Sequence, residues 1–374
     1  MAARLPAAQR FSGWLAGWPG LRRFWIGVLA GLAIGASVLE ALGPPPGPAM
    51  TAIQPGMPAE PLASGHAPGA AQPPAAAQPA QVATARQLSG HSSAGRNTPG
   101  PVADPDPSLL EADPADPNRK LPRVSVDGRA PMAAYAAGFD PTSVRPRVGM
   151  LIAGIGMSEA DSLAAIKNLP GGVTLAISPY GGNFDHLLAV ARLTEHEYVV
   201  SLPMEPNGYP VNDPDDRRAL MTSLPSTENL NRLHWVLSRL AGYVGVTDAF
   251  GQMHGERLAG VADQLSPVLE EVGHRGLLFV DAQAGQPALP YAWSRSVDMV
   301  IDDDPFDATV LDQRLDRLTH TALDKGSALG LVQVPRPLTL ARVAAWTNTL
   351  AAKGLALAPV SALVLRPAKQ EAEK

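Results

Sequence analysis

The order of apolar and polar positions divides the chain into three textures. From Arg147 onward, short apolar runs alternate with stretches whose apolar residues recur every three or four positions. The runs Val148–Ala153, Val173–Ser178, Tyr198–Leu202, Tyr243–Val246, Leu277–Asp281, Val297–Ile301, Ala328–Val332 and Leu355–Val360 read as buried strands. Between them the spacing predicts helices over Ser158–Leu169, Asp185–Thr194, Ser226–Leu240, Glu256–Val272, Ala308–Leu323 and Thr339–Lys353. Ser158 and Ser226 are the expected N-caps, and Gly354 the expected stop of the last helix. This order predicts an α/β fold with a parallel sheet, a (β/α) barrel of about seven to eight strands. An open doubly wound sheet has the same element order.

The other two textures precede it. Phe24–Leu39 is uncharged, follows Arg4, Arg10, Arg22 and Arg23, and ends at Glu40. Extended to Gly43 it is long enough to span a bilayer, with the basic side in the cytoplasm. A cleaved signal peptide is the rival reading. From Pro44 to Pro146 there are 21 of the 38 prolines, and no aromatic residue comes before Tyr135. Such a segment predicts a disordered linker, because it offers little apolar surface to offset its ordering entropy. The expected organisation is a cytoplasmic segment over 1–23, a membrane anchor over 24–43, a linker over 44–145, a barrel domain over 146–365 and a charged tail over 366–374. The location implied is a bacterial inner membrane, single pass, with the C-terminal domain in the periplasm.

Composition narrows the chemistry. A net charge of −5 gives no electrostatic reason to expect nucleic acid, and the absence of cysteine removes thiolate metal sites and disulfides. In a barrel, the residues just past each strand meet on one rim. Those positions are Ala153 and Gly154, Ser178 and Tyr180, Ser201 and Glu205, Thr247 and Asp248, Asp281 and Gln283, Asp302 to Asp304, and Gln333 and Arg336. Glu205, Asp248, Asp281 and Asp302 are the candidate site residues. Each has a structural counterpart reading: Glu205 as a carboxylate tying down its own proline-rich turn, and the Asp302 run as a helix N-cap or an oxygen site for a hard cation. His254 is the one histidine placed near the rim; His196 opens a strand, at the opposite end. No glycine-rich phosphate loop, GxSxG elbow or HExxH motif is present.

Six blocks in one order carry a resemblance: VTLAISPY (173–180), HEYVVSLPMEP (196–206), VGVTDAFG (244–251), GLLFVDAQ (276–283), VDMVIDDD (297–304), and GSALGL with PRPLTL (326–340). Over about residues 147–365 the chain resembles the divergent polysaccharide deacetylase family of carbohydrate-deacetylase barrels. The resemblance implies a divalent metal held by Asp and His, whose bound water attacks an acetamide carbonyl. The departures fall on those groups. An Asp-Asp pair is replaced by Ala153 and Gly154, and a histidine by Ser201. An Asn-Asn-His-Met-Gly motif is replaced by Thr247–Gly251, and a Gly-His-Pro motif by Gln333, Val334 and Pro335. Glu205, Asp281, Asp298 and Asp302 match. The expectation is a membrane-anchored deacetylase-like domain with no cofactor, binding a cell-wall glycan or an envelope protein. The alternatives are a hydrolase using the remaining rim carboxylates, and a scaffold whose barrel is only an interaction surface.

Overall fold

The computed structural model describes residues 98–215 and 217–367. The expected anchor over 24–43, the segment 1–23 and the linker up to residue 97 lie outside the described residues, as does most of the tail. Among the described residues no helix is long and apolar enough to cross a membrane.

Residues 98–145 depart from the expected disorder. Leu110–Asp113 (β1) and Asp116–Pro122 (β2) pair as an antiparallel hairpin, and Pro131–Ala134 forms a single helical turn (α1). The physical reason is placement rather than amount of apolar surface. Leu109 and Leu121 are fully buried, Met132 and Tyr135 nearly so, and each packs into a core shared with the barrel. An average over composition hides four well-spaced anchors.

Arg147–Ile155 (β3) is apolar and buried along most of its length, as a barrel strand requires when its outer face packs on helices and its inner face on the other strands. It is followed by Thr174–Ile177 (β4), Tyr198–Ser201 (β5), Gly245–Thr247 (β6), Leu278–Asp281 (β7), Trp293–Ser296 (β8), Met299–Val300 (β9), Ser327–Val332 (β10) and Ala356–Leu357 (β11). These nine strands form one parallel sheet in the order β8-β7-β6-β5-β4-β3-β10-β9, with β11 beside the start of β3. The two ends of that order are neighbours in sequence. Only Val297 and Asp298 separate β8 from β9: Val297 N–H donates to the Asp281 carbonyl (2.9 Å), and Asp298 N–H to the Leu329 carbonyl (2.8 Å). One segment therefore bonds first to β7 and then to β10, which curls the sheet into a barrel and removes the open-sheet alternative. β8 was absent from the predicted strands, because WSRS alternates instead of running apolar.

Helices alternate with these strands: Glu159–Asn168 (α2), Phe184–Leu193 (α3), Ser226–Leu237 (α4), Glu256–Ala259 (α5), Ala262–His274 (α6), Ala308–Lys325 (α7) and Pro337–Thr347 (α8). Ser158 caps α2, its hydroxyl accepting the Asp161 N–H (3.3 Å), as expected. Ser226 does not cap α4: Pro225 holds the N-cap position, with no side-chain cap bond. The helix predicted over Glu256–Val272 breaks at Gly260–Val261 into α5 and α6, and α8 stops at Thr347, before Gly354.

The base of the barrel, at the strand N-termini, is fixed by polar contacts. The Glu197 carboxylate, fully buried, accepts from Ala137 N–H (3.0 Å), Thr174 Oγ1 (3.0 Å), Ser361 N–H (3.0 Å) and Ser361 Oγ (2.5 Å). It joins the N-terminal segment, β4 and the C-terminal turn at one point. Thr98 and Leu365 lie here as well: the Thr98 carbonyl packs on Gly138, and Leu365 exchanges backbone hydrogen bonds with Ser294 in β8.

The hairpin is locked by charge. Glu271 on α6 accepts from His234 Nε2 (2.7 Å) and Arg275 Nε (2.6 Å), while Arg275 also reaches Glu111 (3.0 Å) and the Pro122 carbonyl (2.8 Å). The His234 hydrogen bond, with Arg275 behind it and burial opposing, holds the Glu271 carboxyl down at about 2. A carboxyl lowered on folding stabilises above its unfolded pKa near 4.5 and loses that contribution as pH falls towards about 2. Urea midpoints measured between about pH 5 and pH 2.5 should fall for the wild type, and fall less steeply for Glu271→Gln.

Candidate functional site

Several strand ends supply the rim. The β3 ladder with β4 shifts register between Ile152 and Ile155, and Gly154 takes a left-handed φ of +76° that favours glycine. Ser178 follows β4, Ser201 ends β5, Asp248 follows β6, Asp281 ends β7, and Gln333 follows β10. Between the β3, β4, β5 and β6 ends lies a cavity of about 560 Å³. Its walls are Gly154, Met157, Ser178, Ser201, Asn212 and the turn Phe250–Met253. None of these side chains is charged. Ser201 is 1 % exposed and its hydroxyl has no hydrogen-bond partner, so the cavity floor holds an unsatisfied polar group.

The four candidate carboxylates are placed differently, and none lines this cavity. Glu205 Oε2 accepts from Thr222 N–H (2.6 Å) and Thr222 Oγ1 (2.7 Å), and Oε1 pairs with Arg257 Nε (3.0 Å). It fastens the loop from 207 to 222, the turn-tying role. Asp302 Oδ1 accepts Gln333 N–H (2.7 Å) and Oδ2 accepts Val334 N–H (3.0 Å), with Arg336 3.9 Å away. It ties two neighbouring strand ends together, and burial raises its carboxyl despite those bonds. The helix cap expected of the Asp302 run falls to Asp307, whose Oδ1 accepts from Thr309 and Val310 N–H.

Asp248 and Asp281 are brought together. Thr247 pairs with Val280 in parallel register, so the two aspartates occupy the next matching positions on adjacent strands. Asp248 Oδ1 accepts Ala282 N–H (2.7 Å), Asp281 Oδ1 accepts Gln283 N–H (2.8 Å), and Asp248 Oδ2 is buried without a partner. Burial, then the Asp281 charge, pushes the Asp248 carboxyl well above the usual range; burial pushes Asp281 up to about 6. Two such carboxyls, both nearly solvent-free, cannot both ionise cheaply.

The histidines follow the expected division. His196 is at the base, with Nδ1 2.7 Å from the Val173 carbonyl and Nε2 3.0 Å from the Ile166 carbonyl. His254 is at the rim, mostly buried, with Nδ1 3.7 Å from Glu256 and Nε2 without a partner. Burial lowers its pKa, against the charges of Glu256, Asp303 and Asp302.

The metal implied by the family resemblance does not fit these residues. The matching positions supply a methyl group, a hydrogen and a neutral hydroxyl at Ala153, Gly154 and Ser201. A Cβ at Gly154 would stand 3.2 Å from Pro335 Cδ and 3.3 Å from the Gln333 carbonyl, on a left-handed backbone, so an aspartate there is strained. Among the described residues, no three His, Asp or Glu side chains converge as ligands. Sequence reasoning missed the cavity wall itself: Met157, Asn212 and Phe250–Met253. The block containing Phe250 carries the family resemblance and departs from its motif without marking Phe250 as a wall, and Asn212 lies in a loop with no motif.

Fold and rim together define a (β/α)-barrel domain of the carbohydrate-deacetylase type, with a ligand-sized cavity at the C-terminal ends of its strands. The family model for divergent polysaccharide deacetylases matches residues 150–364, more than half of the 374, and the chain belongs to that family. Among solved structures, an uncharacterized protein from Agrobacterium tumefaciens C58 is similar at 29% identity and a TM-score of 0.60, over 66% of this chain and 100% of that one. A candidate cellobiose-phosphate cleavage protein from Enterococcus faecalis V583 aligns at 13% identity and a TM-score of 0.40, over 59% and 100% of the two chains. A candidate polysaccharide deacetylase from Mycobacterium smegmatis aligns at 12% and 0.37, over 64% and 98%. The comparison with curated proteins returned no match.

Proposed function

We propose that this member of the family is a single-pass inner-membrane protein whose periplasmic barrel binds a cell-envelope glycan without metal-dependent deacetylation. One observation carries the reading: the rim cavity is walled by Gly154, Ser201 and other uncharged side chains where the family resemblance implies Asp and His. An uncharged wall with hydroxyl and amide groups beside Phe250, Met157 and Met253 suits a sugar, which offers both hydroxyls and an apolar C–H face. The four arginines before the apolar run at 24–39 support the membrane orientation. The hydrolase alternative has less support, because Glu205 and Asp302 are tied to Thr222, Arg257 and backbone amides. Asp248 and Asp281 do pair, but neither lines the cavity.

The test uses the full-length protein in detergent with acetylated chitooligosaccharides and peptidoglycan fragments. Calorimetry should report binding that Ser201→Val or Phe250→Ala weakens by about tenfold, a loss of ~1.4 kcal/mol. Acetate release with added Zn²⁺, Mn²⁺ or Co²⁺ should stay at the protein-free rate. Metal-dependent turnover abolished by Asp281→Asn overturns the reading.

A further inference from the structure

From the cavity wall at Phe250 a row of aromatic rings leads to two arginines. Tyr180, in the segment after β4, has its ring centre 5.6 Å from that of Phe250 and 5.6 Å from that of Trp235 on α4. The Arg218 guanidinium stands 4.7 Å from the centre of the Trp235 ring; that of Arg239 stands 5.4 Å from it and 5.9 Å from the ring of Phe184. Arg218 comes from the loop that Glu205 fastens, which also gives Asn212 to the cavity. Arg239 follows α4 and is held through Nε, which donates to the Pro179 carbonyl (2.9 Å). Both arginines are exposed, and among the described residues neither guanidinium has a carboxylate partner. Asp213 and Asp215, acids of the same loop, accept instead from the N–H groups of Asp215 (2.9 Å) and Arg217 (3.3 Å).

We propose that Arg218 and Arg239, ordered on Trp235, form a carboxylate subsite joined to the cavity by Tyr180, so that the glycan bound here is an acidic one. This rests on the glycan-binding reading above and adds to it the charge of the ligand and the place where its carboxylate lies. A guanidinium stacked on a ring uses its face, so its N–H edge stays free for the two oxygens of a carboxylate. Stacking also holds two long side chains in place before anything binds, which lowers the ordering cost of an ion pair. The cavity beside them has no charged wall and keeps the buried Ser201 hydroxyl without a partner, so the neutral and the charged parts of the ligand have separate places. A net charge of −5 repels an acidic polymer at long range, which leaves local cations to supply the attraction.

Calorimetry on the full-length protein in detergent compares peptidoglycan fragments carrying free carboxylates with the same fragments after those carboxylates are converted to amides. At about 50 mM salt the acids should bind at least about tenfold more tightly than the amides, and at about 500 mM salt that ratio should shrink to below about threefold. With Arg218→Gln and Arg239→Gln combined, the low-salt ratio should fall below about twofold. If the double variant fails to fold, Arg218→Gln alone should lower the ratio at least about threefold, since among the described residues that side chain makes only its ring contact. Equal affinity for acids and amides, or a variant that keeps the full ratio, overturns the carboxylate subsite and leaves the glycan reading standing. Binding of neither fragment overturns both. Poly-glutamate bound as tightly as the acidic fragments, with the same arginine dependence, identifies an acidic peptide and overturns the acidic glycan.

Discussion

Replacing Glu197 with alanine should lower the melting temperature of the barrel by roughly 10 °C, the largest effect expected of a single polar substitution here. The side chain is fully buried and serves four donors: Ala137 N–H, Thr174 Oγ1, Ser361 N–H and Ser361 Oγ. Alanine removes the acceptor from all four at once. Hydroxyls can rotate to new partners, but the buried Ala137 N–H and the half-buried Ser361 N–H cannot, and each unsatisfied donor costs about 1–3 kcal/mol. The total is on the order of 3–5 kcal/mol, which for a domain of this size converts at about 2–4 °C per kcal/mol. Glu197→Gln keeps one acceptor oxygen and turns a donor towards groups that themselves donate, so it should fall between wild type and alanine. Thermal unfolding followed by circular dichroism measures both. A shift of less than about 2 °C for the alanine variant would show that the three segments are held by packing alone.

Glu205→Ala should be the second largest, at about 2–3 kcal/mol, and its effect should reach the cavity. Glu205 is 2 % exposed and its carboxylate holds Thr222 through both the N–H and the hydroxyl, while Arg257 caps the outer side. The loop so fastened carries Asn212, a cavity wall residue. Releasing it exposes a backbone N–H and frees the loop from 207 to 222 at one anchor. Thr222→Val removes only the hydroxyl and should cost about 1 kcal/mol. The readouts are urea unfolding for stability and amide exchange at Thr222, which should lose protection in Glu205→Ala. Unchanged exchange there would mean that the Leu220 ladder to Pro203 and Glu205 suffices to hold the loop.

The barrel was legible in the sequence because its strands are short, continuous apolar runs. A parallel strand is buried on both faces, so Tyr198–Val200 or Leu278–Val280 leaves a strong signal. Where burial is one-sided or borrowed, the signal fails. Trp293–Ser296 alternates and reads as loop, although it closes the barrel. Residues 98–145 bury single anchors in a partner surface, and no local pattern reports such docking. The site was legible by position only. The rim residues were placed from the ends of predicted strands, but what each carboxylate does depends on partners far away in sequence. Asp302 answers to the amides of residues 333 and 334, and Asp248 to Ala282 and Asp281. The cavity depends on what is missing at Gly154 and Ser201, and on a loop conformation at Phe250–Met253 that no periodicity encodes.

Thr98 and Leu365 both belong to the barrel's base, at the opposite end from the cavity. A bead, sensor chip or affinity handle joined at either position therefore grips the molecule from beneath and leaves the mouth open to solution. Ligand screens on an immobilised protein should give the same affinities whichever of the two positions is attached.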